Sequence, residues 1–388
     1  MDPIKLLDLR KFLVPEIVYG AGAMELAGRH ASNFGATKVL IVSDPGVIDA
    51  GWTAKVESSL YEMKIPYAVF SAVTPNPKDH EVMAGAEVYR REKCDLILAV
   101  GGGSPMDCAK GIGVVVGNRG DVLEFEGVDA ISNPGPPLIF IPTTAGTSAD
   151  VSQFAIVTDT NRHVKIAIIS KMVVPDISLV DPETTVTMPA ALTAATGMDA
   201  LCHAFEAFVS TAASPLTDMA ALQAVRLITA NLPGAHREPS NMNFRDNMMM
   251  ASLMAGLAFS NASLGLVHAM AHSLGGAKDL AHGDCNSMLL EKVVGFNFPA
   301  ATEKYIQLAG AMGLAGDALD PSAVASALVD RIASLRRSLG ITQRLKDMGV
   351  SFEDLSHLAG YASKDPCLAT NPRDAGPGEI ELLYGEIY

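Results

Sequence analysis

Cysteine is scarce and unpatterned in this sequence. The five thiols (Cys94, Cys108, Cys202, Cys285, Cys367) are odd in number, widely spaced and never arranged as CxxC. That excludes a disulfide framework and a thiolate zinc site, and it predicts a reducing compartment, the cytoplasm. Charge is thin as well: 19% of residues are Asp, Glu, Lys or Arg, the formal net charge is -14, and no basic run occurs. Such a chain repels a phosphate backbone, so neither nucleic acid nor an anionic membrane is an expected partner. No segment offers an uncharged apolar span of about 18 residues, the length a membrane helix needs. The opening MDPIKLLDLRKFLVPE is charged throughout and lacks the apolar stretch of a signal peptide. Internal repeats and low-complexity segments are also missing.

What the chain has is apolar substance. Of its 388 residues, 49% are hydrophobic, enough for large cores, and the length fits two domains better than one. The 18 methionines, among them Met248-Met249-Met250, read as adaptable core filler.

Between Thr37 and Pro142, β-branched runs alternate with amphipathic helical stretches. The runs are Lys38 to Ser43, Tyr67 to Val73, Asp95 to Val100 and Pro137 to Ile141. Continuous apolar strands separated by helices predict a parallel sheet covered on both faces. Two further runs, FAIVT and VKIAIIS, flank Asp159-Thr160-Asn161 and predict a hairpin appended to that sheet. Strand signals end at Val180, and from Pro189 the Ala-, Leu- and Met-rich spacing is helical. The fold expected is therefore an α/β N-terminal unit over residues 1–185 followed by an all-α unit over 186–388, with the boundary near Asp181 to Pro189.

Two loops have the character of phosphate cradles. Val100-Gly101-Gly102-Gly103-Ser104 follows a strand and opens a helix expected over Ser104 to Val116. Glycines there admit a ligand close to the backbone, and the free N–H groups favour an anion such as a pyrophosphate. A second loop, Pro142-Thr143-Thr144-Ala145-Gly146-Thr147-Ser148, leaves another strand and reaches the same carboxyl edge. Asp44 ends a strand where it can accept from a ribose, and its charge disfavours the 2′-phosphate of NADP; helix capping is the plainer alternative. Gly20-Ala21-Gly22 lacks the third glycine of the dinucleotide fingerprint and reads as a turn before a helix.

Asp199 and His203 are four residues apart in a predicted helix, so both leave one face and can grip one ion, although an exposed ion pair has the same spacing. Three of the nine histidines then fall within fifteen residues, in HAMAHSLGGAKDLAHG: His268, His272 and His282. Helical spacing alone favours His268 with His272. Gly275-Gly276, however, is expected to end that helix, and the following loop can return His282 toward His268. Spacing leaves His272 and His282 open. Imidazoles with a carboxylate and no thiolate suit Fe(II) or Zn(II).

With these motifs in order, the chain resembles the iron-containing (group III) alcohol dehydrogenase family. The blocks FLVPEIVYGAGA, TPNP, GGGSPMDCAK, IPTTAGTSADVS, VPDISLVDPE, TGMDALCHAFEAF, HAMAHSLGG with LAHGDCN, and DPCLATNPR run along essentially its whole length. The resemblance implies a dehydroquinate synthase-like architecture, with a dinucleotide domain and a helical domain flanking the active-site cleft. It implies metal ligation by Asp199, His203, His268 and His282, which makes His272 a non-ligand near the nicotinamide and reacting carbon. Cofactor contacts implied are Asp44, Asn76, Gly102, Gly103, Ser104, Thr143, Thr144, Thr147, Phe154, Lys165 and Leu179. Cys367 matches a position that lines the substrate cleft in many members. Where many members carry GTGSE or GTASE, this chain has Gly146-Thr147-Ser148-Ala149-Asp150, with a shortened acid.

The activity implied is NAD-dependent, Fe(II)- or Zn(II)-assisted interconversion of small primary alcohols and aldehydes, in a homodimer or larger homo-oligomer whose strand near Glu16 to Tyr19 pairs across subunits. A glycerol, 1,3-propanediol or hydroxy-acid dehydrogenase of the same superfamily is the near alternative. A catalytically silent nucleotide- or metal-binding regulator is the alternative from another class.

Overall fold

The computed structural model describes residues 11–314 and 320–388; the segment 1–10, on which part of the signal-peptide reading rests, lies outside them. In chain order the strands are β1 (Glu16–Tyr19), β2 (Val39–Val42), β3 (Tyr67–Phe70), β4 (Leu96–Gly101), β5 (Gly127–Val128), β6 (Leu138–Pro142), β7 (Phe154–Asp159), β8 (Val164–Ile169) and β9 (Ile177–Val180). Helices of the same half are α1 (Ala27–Asn33), α2 (Pro45–Asp49), α3 (Trp52–Glu62), α4 (Asp79–Glu92) and α5 (Gly103–Asn118). The four expected runs become β2, β3, β4 and β6, and the helix expected from Ser104 to Val116 is α5.

Six strands form one sheet in the order β1-β9-β6-β4-β2-β3, every neighbouring pair parallel. Its apolar runs serve both faces. Leu40, Val42, Ile97, Ala99 and Phe140 join a core with Val82 and Ala86 of α4 and with Ala109 and Ile112 of α5. The alternate residues Val39, Ile41, Leu96, Leu98 and Ile139 pack with Ala27 and Ala31 of α1 and with Val56 and Leu60 of α3. Two-sided burial explains why these strands read as continuous hydrophobic runs. β2 pairs with β3 on one side and with β4 on the other, so the winding reverses between β2 and β4. A crevice opens beyond the strand ends at such a switch point.

The hairpin forms but is not part of that sheet. β7 and β8 pair antiparallel, and β8 pairs with the short β5 in a separate three-stranded sheet. Ala155 and Val157 of β7 and Ile166 and Ile168 of β8 lie in one core with Met106, Ile112 and Val115 of α5. The apolar face of the hairpin thus needed a helix to cover, which a sheet edge would not have supplied.

Among the described residues the second half is helical: α6 (Ala190–Val209), α7 (Pro215–Arg237), α8 (Met242–Ala262), α9 (Leu266–Lys278), α10 (His282–Asn297), α11 (Thr302–Ala311), α12 (Pro321–Ser338), α13 (Asp354–Ala362) and α14 (Pro377–Gly385). They share one core, in which Met248 and Met249 are buried as filler. α8 and α9 meet at 98° across Ser263, whose φ is 64°. No single helix among the described residues is long and apolar enough to cross a membrane.

Gly275-Gly276 does not end α9, which continues to Lys278 and closes at Asp279 with φ 51°. These glycines serve a close approach instead. A Cβ on Gly276 would lie 2.9 Å from the Lys165 backbone N and from Val164 Cα, and one on Gly275 would lie 2.9 Å from Lys165 Cε and Nζ. The absent side chains let β8 press against the helix that carries His268 and His272.

Candidate active site

Loops leaving the carboxyl ends of β2, β3, β4 and β6 meet the helical half at a cavity of about 890 Å³. Of the residues expected to touch a dinucleotide, Asp44, Asn76, Gly102, Gly103, Ser104, Thr143, Thr144, Thr147, Phe154 and Lys165 line it. Leu179 does not. In β9 it sits fully buried in the core on the α1 and α3 side of the sheet, because alternation along the strand turns its side chain away from the crevice.

Close packing explains the glycine run after β4. A Cβ on Gly102 would stand 3.1 Å from Thr144 Cγ2, and one on Gly103 would stand 3.1 Å from Thr147 Cγ2. The two loops therefore touch, and α5 starts at Gly103 with its N-terminal amides at the cavity. Asp44 is both cap and wall: it is the N-cap of α2, its Oδ1 accepts from Val47 N at 3.0 Å, and it lines the cavity. Asn76, at φ 56°, donates from Nδ2 to Asp279 Oδ1 at 2.7 Å. Lys78 reaches the same oxygen at 3.0 Å, so this loop is clasped to the end of α9.

Lys165 points away from the Ile166 and Ile168 face of β8, toward α9. Burial pushes its ammonium down from the usual lysine range, and it meets no protein acceptor among the described residues. Lys110, buried under the same loops, donates to Ser152 O at 2.8 Å and Phe154 O at 2.6 Å. The shortened acid, Asp150, is buried and accepts from Ser178 Oγ at 2.7 Å.

At the helical side of the cavity the chain gathers a carboxylate and four imidazoles. α6 supplies Asp199 and His203, α9 supplies His268 and His272, and His282 is the first residue of α10. Asp199 Oδ1 lies 3.7 Å from His203 Nε2, 3.6 Å from His268 Nε2 and 3.8 Å from His282 Nε2. Ligand atoms about 2.0–2.2 Å from one tetrahedral ion sit roughly 3.3–3.6 Å apart. The donor atoms of Asp199, His268 and His282 lie within 4.8 Å of one another and form a group able to hold a divalent cation, and His203 Nε2 stands beside that group, 3.7 Å from Asp199 Oδ1. Asp199 and His203 are buried, so an exposed ion pair is not what their spacing makes.

His272 stands apart from this convergence. Its ring stacks on that of His282 at a centroid distance of 5.4 Å, and its Nδ1 is hydrogen-bonded to Asp365 Oδ2 at 2.8 Å.

The electrostatics of Asp199, His203 and His282 suit cation binding, whereas a cation at His268 has a ring proton to displace. Burial pushes the His203 imidazole down to about 4 and His282 well below the ordinary value, so both carry a free lone pair at neutral pH. Burial opposes charge on His268 too, but the Glu206 and Asp199 carboxylates lift it to about 9. Burial also opposes charge on Asp199, yet the imidazoles hold its carboxyl far below the usual range.

Three polar groups at this site were not found from the sequence. Glu206, fully inside α6, accepts from His268 Nδ1 at 2.5 Å and from Val267 N at 2.6 Å, and so aims His268 Nε2 at Asp199. Its signal was present: Asp199, His203 and Glu206 recur at i, i+4 and i+7, one helix face. Asn286, one turn beyond His282, places Nδ2 2.6 Å from Asp199 Oδ1 and 3.1 Å from Nε2 of both His268 and His282. Asp365 carried no local signal. Burial raises its carboxyl, but His272 and the Cys367 amide draw it down to about 2. Cys367 itself is buried off the cavity wall, and burial holds its thiol well above the ordinary range.

A crevice at the carboxyl edge of a parallel sheet, facing a helical half that bears a carboxylate and imidazoles grouped as a cation could use them, is the architecture of a metal-assisted dehydrogenase. The chain belongs to the iron-containing alcohol dehydrogenase family: residues 15–182 match the iron-containing alcohol dehydrogenase model, and residues 193–388 match the model of the family's C-terminal part. It is similar to 1,3-propanediol dehydrogenase of Citrobacter freundii, with 43% identity over 97% of this chain and 98% of that one. It is similar to NAD-dependent methanol dehydrogenase of Bacillus methanolicus, with 39% identity over 96% and 98%. The crystal structure of a 1,3-propanediol oxidoreductase superposes with a TM-score of 0.95 at 42% identity, covering 98% of this chain and all of that one. The protein is an alcohol oxidoreductase.

Proposed function

We propose that the protein interconverts small primary alcohols and aldehydes with NAD and a divalent cation, Fe(II) first and Zn(II) second. The observation that carries this reading is the convergence of Asp199 Oδ1 and the three Nε2 atoms of His203, His268 and His282 within 3.6–3.8 Å of that oxygen, on the wall of a cavity shared with the glycine-rich loop. When bound, the cation supplies Lewis acidity and the dinucleotide accepts hydride. The protein's own residues orient and exclude water.

Amides at the start of α5, with Lys165, hold the pyrophosphate. Asp44 receives the adenosine ribose, and its negative charge selects NAD over NADP. Phe154, Phe259 and Leu264 furnish an apolar wall beside the imidazoles, which suits a short carbon chain. Similar proteins are named for 1,3-propanediol, methanol, choline and lactaldehyde, all small molecules that carry a hydroxyl group. His272, beside the cluster but not in it, accepts the hydroxyl proton during oxidation and returns it during reduction.

Residues 1–185 form the dinucleotide unit and 186–388 the metal unit, a division supported by the last sheet strand ending at Val180 and α6 beginning at Ala190. Homodimers form through β1, an edge strand of the six-stranded sheet, and a reducing cytoplasm suits five free cysteines.

The test separates ligands from the proton acceptor. His268→Ala loses bound metal and turnover together; His272→Ala keeps the metal and slows turnover. Equal metal loss in the two variants overturns the assignment. Steady-state rates with a panel of alcohols and aldehydes, on metal-analysed protein with NAD and NADP, define the substrate.

A further inference from the structure

The buried pair formed by His272 and Asp365 lies outside the four converging donors. Asp365 sits at the start of a short 3-10 turn, Pro366–Thr370, 93 residues from His272. Both of its oxygens are engaged. Oδ1 accepts from the Cys367 amide at 2.8 Å, and Oδ2 meets His272 Nδ1 at 2.8 Å. A carboxylate accepts only, so the ring nitrogen facing it is the one that bears hydrogen. This leaves Nε2 as the ring nitrogen available to the cavity that His272 lines.

The donor atoms of His272, Asp365 and Cys367 lie within 4.8 Å of one another. Hydrogen bonding accounts for that closeness, because neither carboxylate oxygen is free and the cysteine thiol is buried beside them. The arrangement is a held imidazole and not a second cation site.

We infer that Asp365 is a positioning residue for the proton step, fixing the His272 ring so that Nε2 faces the substrate hydroxyl while Nδ1–H stays on the carboxylate. The inference rests on the role of His272 proposed above. In oxidation the C–H electron pair leaves as hydride to the nicotinamide, and the hydroxyl proton passes to His272 Nε2 and on to solvent. The reverse direction returns both. A ring turned over, or carrying its hydrogen on Nε2, cannot accept that proton.

Asp365→Asn tests this with little change of shape. Its amide oxygen can still cap the Cys367 amide, but its NH₂ group then faces His272 Nδ1 and moves the ring hydrogen to Nε2. The measurement is a double-mutant cycle of Asp365→Asn, His272→Ala and the double variant. Stopped-flow transient kinetics give turnover, elemental analysis gives bound metal, and fluorescence gives NADH affinity. Each single variant is expected to lose on the order of 10²-fold in kcat, with metal content and NADH affinity at wild-type levels. The double variant is expected to be no slower than His272→Ala, because two residues acting as one unit are not additive.

Multiplicative losses, or Asp365→Asn with wild-type kcat beside a slow His272→Ala, overturn the inference and leave the role of His272 standing. Wild-type kcat in His272→Ala overturns both. Should Asp365→Asn fold poorly, Asp365→Ser retains the turn-capping oxygen and enters the same cycle with the same expected outcomes.

Discussion

Replacing Glu206 by Gln alters one buried acceptor and leaves the shape of α6 intact. In the native arrangement one carboxylate oxygen takes the Val267 N–H at 2.6 Å and the other takes His268 Nδ1 at 2.5 Å. Glutamine has one acceptor and one donor end. If its oxygen keeps Val267, its NH₂ faces His268 Nδ1 and drives the ring hydrogen to Nε2, the atom that faces Asp199 at 3.6 Å. If the amide is reversed, its NH₂ abuts the Val267 N–H and two donors collide. Either way one charge-assisted hydrogen bond is lost, worth about 1.5–3 kcal/mol.

Loss of such an outer carboxylate typically weakens metal affinity by about 10–100-fold, or roughly 1.4–2.8 kcal/mol, which agrees with the hydrogen-bond figure. The assay is competition for Zn(II) or Co(II) against a chromophoric chelator at fixed pH. Melting of the same samples reports whether α6 has been disturbed. Glu206→Ala strands two buried donors and is expected to lose more in both readouts. Metal affinity in Glu206→Gln within about threefold of wild type would refute the claim that this carboxylate sets the ring of His268.

Gly276→Ala places a Cβ 2.9 Å from the Lys165 backbone N and Val164 Cα; denaturant unfolding should show a loss of about 1–3 kcal/mol, and unchanged stability would mean β8 yields freely. Asp44→Gly costs only a few tenths of a kcal/mol as a cap but removes the charge opposing a 2′-phosphate, so the ratio of kcat/KM for NAD over NADP should fall; an unchanged ratio counts against the ribose role. Asn286→Ala removes an amide that occupies Asp199 Oδ1 at 2.6 Å and Nε2 of both His268 and His282 at 3.1 Å, the atoms a cation would use; metal affinity by the same chelator competition is expected to hold or rise, and a loss of about tenfold would make the amide a support for the ligands.

The sheet was legible because each of its central strands is short, apolar on both faces and separated from the next by a helix. The hairpin of β7 and β8 was legible as a hairpin, but which surface its apolar face would cover depends on α5, and no local pattern encodes that partner. Gly275-Gly276 misled for a related reason. A glycine reads as a stop signal along the chain, whereas here its use is the near contact of a strand 110 residues earlier. At the metal side, periodicity left His272 and His282 equivalent, and the resemblance chose between them. Glu206 could have been read from the helix face shared with Asp199 and His203. Asp365 could not, since only the fold brings it to His272.

The placement of Asp199, His203 and Glu206 along one buried helix has a consequence for how this protein can diverge. One residue added or lost within that stretch would rotate everything beyond it by about 100° and swing a ligand or its carboxylate partner into the neighbouring helices. Length changes are therefore forbidden across these two turns. Substitutions on the cavity wall at Phe154, Phe259 or Leu264 leave the helix register alone, which lets new alcohols be taken up while the inorganic centre is inherited unchanged.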